Sequence, residues 1–594
     1  MLYCTKCQTI CEDSTRACPN CRRSRALRPV REGDEVFFMK VHEGEAAELS
    51  ALFEARAIRH RTEPVKAGFS TSIYDPEFLP TDRNVYVEYQ DLERANQAMA
   101  EEREEEPAPP EEDEMPKGKR MVIQTVSIIA FLALVMLAVL ATDQIAAFLK
   151  NLVMPQNHMR RHGMEDIKVK KYKPDTTCIH AGYTPGNGEP RVLPIVQSTT
   201  YTYESSKEMG DLFDLKADGF FYTRLGNPTL DAVEKKLAAL EGGVGAMLTA
   251  SGQAASMISI LDICRAGGHV VCSSAIYGGT FNLFYKTMKE MGIDFTFVSP
   301  TSTADELRAA FHENTRCVFA ETLANPSLVV TDLALFADVA HEHGVPIIVD
   351  NTFPTPVNCR PFEFGVDIVV HSTTKYLDGH AVQVGGAIVD SGNFDWNNGK
   401  FPELTEPDES YHGVVYTEQF GKAAYIAKAR CHLMRDLGAQ AAPMNAFLLN
   451  LGMETLALRM ERHCSNALAI AKFLEADERV AWVNYPGLES SPYYALAKKY
   501  MPNGTCGVVS FGIKGGREAA TKFMDSLELA SVVTHVADLR TCVLPPVSTT
   551  HRQLSDRQLE EAGVGADLIR LSVGIENIGD ILADVQQALE KAVQ

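Results

Sequence analysis

At 594 residues the chain is too long for one hydrophobic core and divides into several domains. Apolar residues make up 45% and charged residues 23%, the balance of an ordinary globular protein. A net charge of −21, from 57 basic and 78 acidic residues, argues against a nucleic-acid surface spread over the molecule. Five of the 14 cysteines crowd into the first 21 residues, and the other nine stand singly from Cys178 onward. Single spacing suits reduced core thiols in a cytosolic protein better than a disulfide framework.

The chain opens CTKCQTICEDSTRACPNC, which sets Cys4 and Cys7, then Cys18 and Cys21, as two C-x-x-C knuckles. Two such knuckles supply the four thiolates of a tetrahedral zinc site, so residues 1–30 are predicted to be a zinc ribbon. The other reading, a redox dithiol, requires a compartment outside the cytosol. Cys11 is spare. The stretch Met1–Asn20 is polar and cysteine-rich, unlike a signal peptide. Over 31–100 a small α+β module is expected, with a strand at Glu35–Val41, a helix at Glu45–Ala57 and a second strand at Asn84–Glu88. On those elements it weakly resembles the regulatory modules of bacterial membrane proteins.

Residues 101–120 read as a linker, since Glu101–Glu114 holds nine acids and one arginine. MVIQTVSIIAFLALVMLAVLAT, 121–142, then has the length and apolarity of a membrane-spanning helix; the alternative is a buried core helix. Lys117, Lys119 and Arg120 on its N-terminal flank would place the ribbon in the cytoplasm and everything after Asp143 outside. Lys150, Arg160 and Arg161 weaken that assignment without reversing it. A soluble enzyme beginning at Met159 or Met164, separate from the upstream piece, is the expectation that keeps both halves cytoplasmic.

From about Asp175 the pattern alternates apolar strands and helices, as at His269–Cys272, Phe295–Val298, Cys317–Ala320, Pro346–Val349 and Asp367–Val370. This implies a mostly parallel sheet with covered faces, whose ligand sits at the carboxyl ends of the strands. After Gly245–Leu248 comes TASGQAAS, where Ser251, Gly252 and Gln253 precede a helix start and can cradle an anion. After Ile347–Val349 comes Asp350. After Ile368–Val370 comes HSTTKYLDGH, with Ser372 and Thr374 beside Lys375. A phosphate cradle, a lysine able to form a Schiff base and an acid for a protonated pyridine are together the requirements of pyridoxal phosphate.

On YTRLGNPT (Tyr222–Thr229), SGQAA, YGGT (Tyr277–Thr280), ETLANP (Glu321–Pro326), VDNTF, HSTTKYLDGH and LIRLSVGIE (Leu568–Glu576), Asp175–Gln594 resembles the Cys/Met-metabolism family of pyridoxal-phosphate enzymes, the cystathionine γ-synthase-like branch. Within it, Gly392–Gly413 and Asn445–Cys464 are most similar to the O-acetylhomoserine sulfhydrylases. The resemblance implies a type I aspartate-aminotransferase-like α/β fold with a seven-stranded sheet and a smaller C-terminal α+β domain. The implied boundaries are an arm at 159–220, a cofactor domain at 221–435 and a C-terminal domain at 436–594.

It also implies roles. Lys375 anchors the cofactor and then moves protons, Asp350 keeps the ring nitrogen charged, and Tyr277 stacks on the ring beside the leaving group. Asn325 bonds the ring's phenolic oxygen, while Ser251, Gly252, Gln253, Ser372 and Thr374 hold the phosphate. Arg570 clamps the substrate carboxylate. Tyr222 and Arg224 reach a neighbouring subunit's phosphate, so a tetramer of paired dimers is expected. His371, His380 and His551 are left as supporting or structural.

The implied reaction is γ-replacement on an O-acyl homoserine by sulfide or methanethiol. Methionine γ-lyase is the nearest alternative, and Gly279, where that subfamily typically has cysteine, counts against it. Cystathionine synthesis stays open, because PPVS (Pro545–Ser548) departs from the family's usual HPAS. A different class of reading makes the enzyme half the cargo of a membrane-tethered zinc-binding module.

Overall fold

The computed structural model describes residues 1–64 (without 14, 16, 19, 20 and 22–25), 82–104 and 172–593 (without 548, 550–564 and 566). The expected spanning helix at 121–142, both methionines proposed as starts, and His551 lie outside the described residues. Among the described residues no helix is long and apolar enough to cross a membrane. The chain divides into two compact units, Met1–Asn157 and His158–Gln594.

In the first unit, β1 (Leu2–Cys4) pairs antiparallel with both β2 (Ile10–Cys11) and β3 (Leu27–Pro29). There follow β4 (Glu35–His42), α1 (Glu43–Ala55), β5 (His60–Pro64), β6 (Asp82–Glu88) and α2 (Leu92–Glu104). The three strands form an antiparallel sheet in the order β4-β6-β5, and Phe53, Val85, Val87 and Ala95 fill its core. Strand β5 escaped the sequence reading because HRTEP has no apolar residue to alternate. It is a polar edge, held by its pairing with β6 and by Arg61 Nε on Glu35 Oε2 at 3.1 Å. The acidic run was expected to be linker from 101, but its first four residues continue α2.

The second unit is built on a seven-stranded sheet. Helix α3 (Pro228–Glu241) leads into β7 (Gly245–Thr249), and α4 (Gly252–Leu261) leads into β8 (His269–Ser273). Then come β9 (Asp294–Val298), β10 (Thr315–Glu321), α5 (Leu333–Glu342), β11 (Ile347–Asp350), β12 (Ile368–Ser372) and β13 (Gly386–Asp390). The order is β7-β13-β12-β11-β10-β8-β9. Alternate strand residues enter opposite cores, as the twofold period of a strand demands. Val318, Ala320, Ile347, Val349, Val369 and Val389 face one side, and Cys317, Phe319, Ile348, Ile368, Val370 and Ile388 the other.

The sheet departs from a fully parallel one at β13, which runs antiparallel to both β12 and β7. The segment between β12 and β13 forms no helix, so no crossover element carries the chain to the far end of the sheet and the next strand turns back. That segment contains Lys375.

The C-terminal part carries a second, mainly antiparallel sheet. It follows α6 (Leu456–Ala476) and comprises β14 (Val480–Asn484), β15 (Val508–Ile513), β16 (Ser531–Val532), β17 (Cys542–Leu544) and β18 (Ile569–Ser572), before the final helix α8 (Ile578–Ala592); α7 (Gly516–Asp525) lies between β15 and β16. The order is β14-β15-β18-β17-β16, with its own core around Phe511, Phe523, Ile569 and Leu589. Arg459 of α6 ties this part to the lysine loop: its guanidinium donates to the carbonyls of Tyr376 (2.7 Å) and Gly452 (2.6 Å).

Candidate active site

The predicted residues converge where the parallel strands end. Strands β10, β11 and β12 are neighbours, and they finish at Glu321, Asp350 and Ser372. Beside them, β7 feeds the start of α4. Ser251 caps that helix, accepting from Ala254 N–H at 3.1 Å, which leaves the first N–H groups of the helix facing outward. A Cβ on Gly252 would lie 2.8 Å from Ser372 Cβ and 3.0 Å from its Cα. Glycine is what lets the helix N-terminus and the end of β12 approach as two walls of one cradle. Gln253 Oε1 accepts from Thr280 Oγ1 at 3.1 Å, which joins the cradle to the YGGT turn. Thr374 closes the loop beneath the cradle, donating to Gly385 O at 3.2 Å and accepting from Gly385 N–H at 3.1 Å.

Lys375 follows in the turn after β12. Its Nζ has no hydrogen-bond partner among the described residues, and desolvation lowers its pKa to about 8, helped by the positive charge of Arg570. An amine with that pKa is deprotonated near physiological pH in a far larger fraction than an ordinary lysine, and that fraction can act as nucleophile or base.

Asp350 is held through Oδ1 alone, by Thr352 N–H at 2.9 Å and Thr352 Oγ1 at 2.5 Å. Burial raises its pKa, and the bonds from Thr352 and the charge of His371 pull the other way. Its other oxygen accepts no hydrogen bond among the described residues, leaving an acceptor for a ring N–H.

Glu321 is the residue that the motif reading quoted without giving it a role. It is 5% exposed and stands in register with Asp350 on the adjacent parallel strand. Its Oε1 accepts from Tyr277 N–H at 2.6 Å and its Oε2 from Asn325 N–H at 3.3 Å, so one side chain fixes two predicted site residues. Burial first, and then the neighbouring charge of Asp350, push its pKa well above the ordinary carboxylate range. The signal for it was present, since an acid ends the apolar run of β10 just as Asp350 ends β11.

Tyr277 is 38% exposed, with its ring free to cover a ligand. A Cβ on Gly279 would fall 2.5 Å from Tyr277 Cε1 and 3.1 Å from Gln253 Nε2, so a side chain at 279 displaces the tyrosine ring. Arg570 arrives from β18, 2% exposed, with Nη1 on Asn325 Oδ1 (3.1 Å) and Nη2 on the His535 carbonyl (3.1 Å). Its Nε is buried and has no partner among the described residues, and burial lowers its pKa to about 10. A buried guanidinium without a carboxylate is costly, and a planar carboxylate is the ligand that its fork fits.

Tyr222 and Arg224 are not joined to this cluster. Arg224 stacks over the Tyr222 ring at 5.2 Å and donates to the carbonyl of Arg435. His380 is turned onto its own loop, with Nδ1 2.7 Å from Asp378 O.

In the first unit, Cys4, Cys7, Cys18 and Cys21 bring their sulfurs within 4.8 Å of one another. The closest pairs are Cys4 with Cys21 at 3.5 Å and Cys7 with Cys18 at 3.4 Å. Cys11 is buried in the same small core.

A helix-start cradle suited to an anion, a lysine of lowered pKa, a strand-end acid and a guanidinium lacking its carboxylate fit pyridoxal phosphate and an amino-acid substrate. Residues 175–590 match the family described as Cys/Met metabolism PLP-dependent enzyme. The chain belongs to that family. It is 47% identical over 431 residues to an O-acetyl-L-homoserine sulfhydrylase of Leptospira meyeri, covering 71% of this chain and 97% of that protein. It is 47% identical over 422 residues to a homocysteine synthase of Schizosaccharomyces pombe, covering 70% and 98%. A crystal structure from Campylobacter jejuni that contains N′-pyridoxyl-lysine-5′-monophosphate superposes with a TM-score of 0.69 at 36% identity, covering 70% of this chain and all of that one.

The cradle makes one substitution diagnostic. Gly252→Ala must push α4 away from Ser372, at an overpacking cost of about 1–3 kcal/mol. The expected result is a folded protein with weakened affinity for both pyridoxal phosphate and inorganic phosphate, measured by titration calorimetry. Unchanged affinity for both would show that the cradle is not the phosphate site.

Proposed function

We propose that the enzyme unit replaces the acetate of O-acetylhomoserine by sulfide or methanethiol, giving homocysteine or methionine and acetate. The observation that supports this most is the buried Arg570, which has no carboxylate partner among the described residues and whose charge helps to lower the pKa of Lys375, together with an O-acetyl-L-homoserine sulfhydrylase relative at 47% identity over 431 residues. Bound at Lys375, pyridoxal phosphate supplies an electron sink for charge developing at the substrate's Cα. This chain's residues do the rest. Arg570 holds the α-carboxylate, and Asn325, whose Oδ1 is taken by Arg570, keeps its amide N–H groups for the cofactor's phenolic oxygen. Ser251, Gly252, Gln253, Ser372 and Thr374 hold the phosphate, with Thr374 also bracing the loop on Gly385. Lys375 Nζ, once released, would carry the Cα proton to C4′ and then take a Cβ proton, so that acetate leaves from Cγ; after the sulfur nucleophile adds there, Lys375 would return a proton to Cβ and the one at C4′ to Cα. Tyr277 lies over the ring beside the leaving group, with Gly279 making room for it.

Tyr222 and Arg224, unattached to the cradle of their own chain, serve the phosphate of a neighbouring subunit in a homodimer or homotetramer. The four thiolates of the first unit hold a structural zinc ion: four Zn–S bonds of about 2.3 Å set the sulfurs at the mutual spacing of this cluster. Both thiolate metal binding and this cofactor chemistry suit the cytoplasm. The partition at Asn157/His158 supports an enzyme that functions as a unit of its own.

Purified residues 159–594 loaded with pyridoxal phosphate test the reaction. O-acetylhomoserine with sulfide is expected to yield homocysteine and acetate, and Lys375→Ala to lose both turnover and the visible absorbance of the lysine-bound cofactor. Turnover only of O-succinylhomoserine with cysteine, or only of methionine alone, would instead mean a cystathionine synthase or a γ-lyase. Metal analysis of the full chain is expected to find one zinc, lost in Cys18→Ser; a metal-free chain with oxidised knuckles would contradict the ribbon.

A further inference from the structure

Behind the cofactor-facing residues lies a charged pair that the mechanism above does not use. Glu241, the last residue of α3, places Oε1 2.6 Å from Nε2 of His371 on β12, and both side chains are 0% exposed. Arg360 reaches only the backbone carbonyl of Glu241, at 3.4 Å, and the thiol of Cys359 is the other titratable group beside it. Among the described residues, His371 is therefore the ionisable side chain hydrogen-bonded to this carboxylate.

Two hydrogen-bonded routes run from the pair to Asp350. In the first, Glu241 Oε1 also accepts from Asn351 Nδ2 at 3.1 Å, and Asn351 directly follows Asp350. Asn351 is fixed further by Cys359 O at 2.9 Å and by Thr322 Oγ1 at 3.0 Å. In the second, His371 continues into Ser372, whose N–H donates to Thr352 Oγ1 at 2.8 Å, and that hydroxyl donates to Asp350 Oδ1 at 2.5 Å. The last residue of α3, the residue after β11 and a residue of β12 thus meet at one buried carboxylate.

Packing alone does not account for such a pair. Glu241 Oε2 and His371 Nδ1 are buried with no hydrogen-bond partner among the described residues, which costs stability that an apolar pair of the same volume would not lose. What the pair adds is charge at a fixed place. A lone carboxylate charge at 0% exposure is disfavoured, and the ionisable group bonded to this one is His371 on β12, the strand beside Asp350.

We propose that Glu241 and His371 are positioning residues for Asp350: Glu241 holds the imidazolium form of His371, and that charge keeps Asp350 an ionised acceptor for the cofactor's ring nitrogen. The inference rests on the cofactor reading given above. It accords with the direction in which His371 acts on Asp350, downward against the upward pull of burial.

The test uses the full chain with pyridoxal phosphate. Glu241→Gln keeps the size and shape of the side chain and removes its charge; His371→Asn is the second variant, should the first not fold. Each is expected to weaken cofactor affinity about tenfold, one unit of differential protonation energy. Each should also move the ring-nitrogen resonance of isotope-labelled cofactor toward the unprotonated form, which a purely structural role would not do. In an Asp350→Asn background the same substitutions should change affinity by less than about twofold, because the group they act on is gone. Wild-type affinity and an unmoved resonance in the single variants would overturn the proposal, as would an equal loss of affinity with or without Asp350. Failure of the wild-type chain to bind the cofactor at Lys375 would overturn the underlying reading as well.

Discussion

The second unit depends on gathering charge at the dry end of a parallel sheet. Strands β10, β11 and β12 are apolar for nearly their whole length and end in Glu321, Asp350 and Ser372, so the polar groups emerge together where the backbone ladder stops. The strand order makes these ends adjacent. Two acids side by side in register cannot both be ionised cheaply, and the structure separates their tasks. Glu321 accepts two backbone N–H groups and holds the loops of Tyr277 and Asn325. Asp350 keeps one oxygen open and is drawn toward ionisation by Thr352 and His371. One carboxyl organises and the other stays available.

The amine answers the same constraint from the opposite sign. Lys375 sits in the turn between a parallel strand and the one antiparallel strand of the sheet, where its Nζ has no hydrogen-bonded counter-ion among the described residues. Desolvation and then Arg570 lower its pKa to about 8, against the opposing pull of Asp538, and so enlarge the unprotonated fraction its chemistry requires. Arg570, brought from the second sheet and anchored to Asn325, does double duty by biasing Lys375 and waiting for a carboxylate. This coupling makes the C-terminal part a component of the active site.

Much of this was legible because each functional residue follows an apolar run. Lys375, Asp350 and the Ser251–Gln253 cradle could be placed at strand ends before any coordinates, and the paired knuckles of the first unit brought their four sulfurs together as spaced. What was not legible has identifiable causes. Strand β13 was missed because GAIVD is short and follows a helix-free segment, so its direction is decided by tertiary pairing. Strand β5 is polar along its length. Glu241 and His371 are 130 positions apart and become a pair only when α3 packs against β12. Thr374, placed near the phosphate by its spacing, has a further task that spacing does not show: its hydroxyl closes the loop on Gly385.

The central claim is that burial and Arg570 lower the pKa of the Lys375 amine to about 8. It is tested most directly by the pH dependence with which cofactor-free protein recaptures pyridoxal phosphate at that lysine. Only the unprotonated amine reacts, so the rate should rise with pH through a midpoint of about 8. A midpoint at the ordinary lysine value of 10.5, or capture at a different lysine, would contradict the account.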